Sequence, residues 1–176
     1  ERRIGDRIGV VTRGYVVSQP DYAASFGQNA GQISVSGKYS LYEGGAGAAA
    51  MEFGAAYSSE ADPACSGWGG QLRALAGKGF GAGFVNVEAG YVAQRPECIH
   101  AKLDLTAGFR PGGGWLTMGQ VFLDRRYGEG HVAKAQLSVV RFFSARTGVQ
   151  FGVRRRIDGG GDSNAALLLG LWRAAG

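Results

Sequence analysis

Ile99-His100-Ala101-Lys102-Leu103-Asp104-Leu105-Thr106-Ala107-Gly108-Phe109 switches polarity from one residue to the next. Ile99, Ala101, Leu103, Leu105, Ala107 and Phe109 take one face. His100, Lys102, Asp104 and Thr106 take the other. A period of two predicts a β-strand with one apolar and one polar face. The same alternation recurs about ten times with turn residues between and no helical period, which predicts an all-β, up-and-down antiparallel barrel of about ten strands.

Working outward, Val85, Val87, Ala89 and Tyr91 alternate with Asn86, Glu88 and Gly90, and Trp68, Leu72, Ala74 and Ala76 face away from Gln71 and Arg73. Ala49, Met51, Phe53, Ala55 and Tyr57 oppose Ala50, Glu52 and Gly54. Ile33, Val35, Gly37, Tyr39 and Leu41 oppose Ser34, Ser36, Lys38 and Ser40. A first strand lies within residues 7–17, and its faces resist assignment. Toward the C-terminus, residues 115–123 read best with Gln120 and Asp124 on the polar side, which puts Met118 and Phe122 there as well. Ala133, Ala135, Leu137, Val139 and Phe143 oppose Lys134, Gln136 and Ser138. Val149, Phe151 and Val153 oppose Gln150, Gly152 and Arg154, and a last strand carries Leu167, Leu169 and Leu171.

A length of 176 residues predicts a single domain over residues 1–176. Hydrophobic residues make up 45% of the chain, yet mean hydropathy is only -0.08, as strands with one polar face require. No stretch approaches the ~18 consecutive apolar residues of a membrane-spanning helix. The net charge of +5 could suit nucleic acid, but Lys and Arg are interleaved singly into strands and only Arg154-Arg155-Arg156 forms a run. A strand end would splay those three to opposite faces, so no nucleic-acid partner is expected. Glu1 opens the chain without a basic-then-apolar leader, and the expectation is that any secretory signal was removed or lies outside the numbering.

The turns have a rhythm. Segments 43–47, 77–83, 111–114 and 144–147 are short and rich in Gly or Ser, whereas 18–32, 58–67, 94–98, 124–131 and 158–164 are longer or more polar. In an up-and-down barrel alternate turns fall at opposite rims. The chain resembles bacterial outer-membrane β-barrel proteins, which have short periplasmic turns and longer extracellular loops, over nearly its whole length. That resemblance implies a place in the bacterial outer membrane, outer-membrane lipid against the apolar faces, and a polar lumen. It also implies periplasmic termini and extracellular long loops. A soluble barrel would reverse the faces. Two features favour lipid: aromatic residues near the ends of the apolar faces (Tyr39, Tyr57, Trp68, Tyr91, Phe109, Trp115, Phe143), and apolar segments of about nine to eleven residues, enough to cross a bilayer at a tilt. Strands of the family usually finish with a terminal aromatic; here Trp172 stands near that place, followed by Arg173-Ala174-Ala175-Gly176.

The lumen would then hold Lys38, Glu52, Arg73, Glu88, Lys102, Asp104, Lys134 and Arg154, an ion-pair network that plugs a narrow barrel. Cys65 and Cys98 fall in neighbouring loops of one rim and are expected to form a disulfide. His100 and His131 lie near the same rim, with Asp124 and Glu129 close in sequence to the second, but no G-x-S-x-G nucleophile motif accompanies them. No catalytic residue, metal site or cofactor is therefore assigned. Asp158-Gly159-Gly160-Gly161-Asp162 lacks EF-hand spacing, and a strand rather than a helix follows the glycines of 77–82. The expected function is non-enzymatic: a structural or interaction role in the cell envelope, as an accessory subunit of a larger secretion, polysaccharide-export or uptake assembly. Two alternatives stand beside it. One is a narrow anion-favouring channel lined by Arg73, Lys102, Lys134 and Arg154; the other is a hydrolase at the histidine rim.

Overall fold

A computed structural model describes residues 2–3, 6–18, 29–59, 65–126, 131–145, 147–158 and 165–173. The described residues form strands and no helix. A two-residue strand, β1 (Arg2–Arg3), precedes ten long ones: β2 (Ile8–Ser18), β3 (Asn29–Gly44), β4 (Gly47–Ser59), β5 (Gly67–Phe80), β6 (Gly83–Ala93), β7 (Ile99–Gly112), β8 (Trp115–Arg126), β9 (His131–Phe142), β10 (Thr147–Asp158) and β11 (Ala165–Arg173). Each pairs antiparallel with its neighbours in sequence, so a single sheet runs in order from β1 to β11. Where a connection is two residues long it leaves no length for a crossover, and the strands it joins pair as a hairpin.

The turns keep the expected rhythm at one rim. β3–β4, β5–β6 and β7–β8 are joined by residues 45–46, 81–82 and 113–114 alone. Gly113 and Gly114 have φ of 60° and 75°, the left-handed pair of a type I′ hairpin, whose twist matches that of the strands it joins. Several expected boundaries shift, two of them by four residues. β3 starts at Asn29 inside the expected link 18–32, and β5 continues to Phe80 through the expected turn 77–83. Gly77 and Gly79 pair with Asn86 and Phe84 across the hairpin, so their missing side chains do not end the ladder. The expected links fall in large part on residues 19–28, 60–64, 127–130 and 159–164, which lie outside the described residues.

The sheet curls, and the burial shows which way. Glu52, Ser36, Ser58, Ser34, Ser138, Gln136 and Gln71 are buried, while Leu167 (88% exposed), Leu169 (76%), Leu137 (73%) and Phe143 (71%) stand open. The polar face is inside and the apolar face outside. Met118 sits on the inner face with Gln120, in the polar-side placement that residues 115–123 favoured. It packs with Leu116 and Val140, against Phe84 and Phe142, in an apolar cluster at the short-turn end of the inner face. Among the described residues, no pairing joins β11 back to β1 or β2, and the sheet ends at these two edges without closing into a barrel.

Candidate functional site

Cross-strand register arranges the inner face in rows. One row reads Lys38, Glu52, Arg73, Gly90, Lys102, Asp124 across β3 to β8, each directly opposite the next. Opposite charges at facing positions attract, and this row alternates sign except where Gly90 separates two cations. The glycine has a steric reason. A Cβ at Gly90 would lie 3.1 Å from Lys102 Cγ and 3.9 Å from Arg73 Cγ, so two long cationic stems share the space it leaves.

Glu52 is the most deeply buried charge, at 1% exposure. Arg13 Nη1 and Nη2 donate to its two carboxylate oxygens at 2.5 and 2.9 Å, reaching over β3 from β2 to β4. A forked pair of this kind offsets the cost of removing a carboxylate from water. Arg73 pairs with Glu88 on the next strand. Glu88 and Asp104 face each other directly in register, an arrangement of like charge that needs cations nearby. Arg73 supplies one through its contact with Glu88, and Lys102 shares the inner face of β7 with Asp104.

Further round, amide and hydroxyl groups carry the wall's side-chain hydrogen bonds as far as Arg154. Arg154 Nε donates to Gln136 Oε1 at 2.8 Å, Gln136 Nε2 to Gln120 Oε1 at 2.7 Å, and Gln120 Nε2 to Thr106 Oγ1 at 3.2 Å. This ladder spans β10, β9, β8 and β7. The Arg154 guanidinium also lies 4.5 Å over the Phe122 ring, which explains why an aromatic residue sits on the polar side. Lys134 stands between Phe122 and Arg156 in register. The eight charged positions named from sequence thus fall on one face but not in one cluster. Lys38, Glu52, Arg73, Glu88, Lys102 and Asp104 lie together on β3 to β7, whereas Arg154 and Lys134 lie beside Gln and Phe partners. Arg13 was missed, because Val, Gly and Thr on both faces of β2 hide its polarity. The glutamine ladder was missed because polar alternation does not say which side chains bond.

The long-loop rim is tied together differently. Cys65 and Cys98 are disulfide-bonded, with Cα atoms 5.3 Å apart, and join the β4–β5 and β6–β7 connections. His100 pairs with Asp124, and His131 Nε2 lies 3.0 Å from Asp158 Oδ2. Each histidine therefore meets an aspartate of the following strand; Glu129 lies outside the described residues. No three His, Cys, Asp or Glu side chains converge on a metal-sized site among the described residues.

No family model matches this chain, and neither the curated proteins nor the solved structures contain a significant match.

Proposed function

We propose that the chain is a small integral β-barrel of the bacterial outer membrane, closed by its own inward charges, with a structural or interaction role as an accessory subunit of an envelope assembly. The observation that carries this reading is the inverted burial, with leucine and phenylalanine outside and glutamate, glutamine and serine inside. In water, so extended an apolar skin would far exceed the few hundred Å² that soluble monomers leave open. Lipid removes that penalty. Strands of nine to sixteen residues are long enough to cross, since a tilted strand needs about 9–11. In hydrocarbon the edge formed by β1 and the rest of β2, and the edge of β11, would each leave a row of unsatisfied backbone groups, so joining them is the favoured state. Ten strands enclose little more room than the eight that side chains fill, and the paired charges and glutamine ladder occupy it.

The test uses the full chain refolded into detergent and then into lipid bilayers. A folded barrel runs at a different mobility from the boiled chain in a heat-modifiability gel. The plugged reading further predicts no steady current in planar bilayers, and intermittent leaks once Glu88→Ala removes the Arg73–Glu88 contact. A steady, anion-selective current through the unaltered protein would replace the plugged subunit with the channel. A chain that remains monomeric and folded in buffer without detergent would overturn the membrane reading itself.

A further inference from the structure

The sheet is open at one seam, and the two edges that meet there differ. β11 pairs with β10 along all nine residues, Ala165 to Arg173, and among the described residues its other edge is bare. The edge of β2 carries a cover. β1, two residues long, pairs antiparallel with it, Arg2 opposite Val10 and Arg3 opposite Gly9. On its other side β2 pairs with β3 from Ile8 to Ser18, and Ser40 N–H donates to the Arg7 carbonyl at 2.8 Å, so the covered stretch is firmly anchored. Burial marks the cover. Ile8, Val10 and Thr12 share one face, yet Val10 is half-buried between two exposed neighbours.

Strand direction decides what the cover does. Every neighbouring pair from β2 to β11 is antiparallel, so β11 runs opposite to β2, as β1 does. β11 therefore suits β2 as an antiparallel partner, with its Arg173 end toward the Ile8 end of β2, at the short-turn rim. β1 already occupies that edge at Gly9 and Val10. One edge cannot serve two strands at the same residues. A strand held outside β1 stands a further spacing of about 4.8 Å from β2, too far to bond with it. Against β1 itself, β11 would run parallel, unlike every other pair in the sheet.

We propose that β1 is a displaceable strap on the seam, which shields the start of β2 while the sheet is open and leaves when β11 closes the wall. The inference rests on the barrel reading above and adds the order of events at closure. Exchange favours the closed state, because nine residues of β11 replace two of β1 and satisfy backbone groups that hydrocarbon cannot. The strap therefore governs the rate of closure more than its outcome. While in place it also covers part of an edge that would otherwise template pairing with another chain.

The full chain, diluted from urea into phosphatidylcholine vesicles, reports closure as the band whose mobility shifts on boiling. R2P/R3P removes both backbone donors of the strap. It should close about tenfold faster, the effect of losing one or two weak hydrogen bonds. R2Q/R3Q loses the same charge but keeps the donors, and should close at the unaltered rate. R2C/V10C, its bridge verified in a non-reduced digest, should close correspondingly more slowly and recover under reductant, with the reduced unaltered protein as reference. An R2P/R3P rate no faster than the unaltered one, an equal gain in R2Q/R3Q, or unimpeded closure of the bridged variant overturns the strap and leaves the barrel standing. An unaltered chain that never yields the band loses the barrel, and the strap with it.

Discussion

On β9, Gln136 and Ser138 are buried while Leu137 is largely open and Val139 about 39% exposed, and these four residues are consecutive in the chain. The contrast extends over the whole sheet. On the inner face, polar groups are covered and each must find a partner, because an unpaired donor or charge away from water costs free energy. On the outer face, apolar groups are uncovered and need no specific partner, only a solvent that is not water. One face is therefore specified by pairing and the other by medium. Substitutions should consequently fail for different reasons on the two faces.

The largest expected effect comes from crossing that division. Leu137→Arg, near the middle of β9 on the outer face, should block assembly into bilayers, at a cost of about 2–4 kcal/mol for Arg at the midplane of a barrel. Thr106→Arg puts the same group on the inner face and should be tolerated better. Folded yield in a heat-modifiability gel reads both, and equal yields would erase the distinction between the faces.

A second substitution stays on the inner face. Glu52→Ala should lower stability by about 2–3 kcal/mol, less than the loss of one partner of a fully buried pair, because Arg13 remains about a third exposed. The urea midpoint of the folded band measures it. The double variant that also replaces Arg13 with Ala should recover part of the loss, because no charge is then left alone.

The smallest effect on the wall is expected at the rim. The disulfide closes a loop of 33 residues, but the β5–β6 hairpin inside that loop is already held by continuous pairing. Replacing Cys65 and Cys98 by Ser should speed protease cleavage of the long-loop connections and barely move the midpoint of the wall. A midpoint shift as large as that of Glu52→Ala would show the cross-link bracing the sheet itself.

Much of this was legible in the sequence because a period of two is a local property. The stretch 99–109 displays its two faces without reference to any neighbour, and even Met118 and Phe122 could be put on the polar side by spacing from Gln120 and Asp124. The strand order follows from short Gly-rich connections. The start of β3 at Asn29 was not legible, since Asn29, Ala30, Gly31 and Gln32 have no apolar alternation and are held as strand by Val17 and its neighbours across the ladder. Arg13 was hidden for the same reason, and its partner lies two strands away.

The alternation of side chains, the ten long strands and the residue types on each face beyond β2 were thus determined by the sequence alone, because the pleat turns every second side chain to the same side. Only the tertiary structure decided which face lies inside, that Arg13 rather than Lys38 forks onto Glu52, that Gln120 and Gln136 carry the ladder to Arg154, and that Arg110 and Arg141 stand over aromatic rings. Those outcomes depend on curvature and on the register between strands far apart in the chain, and neither is written in the spacing of any single strand.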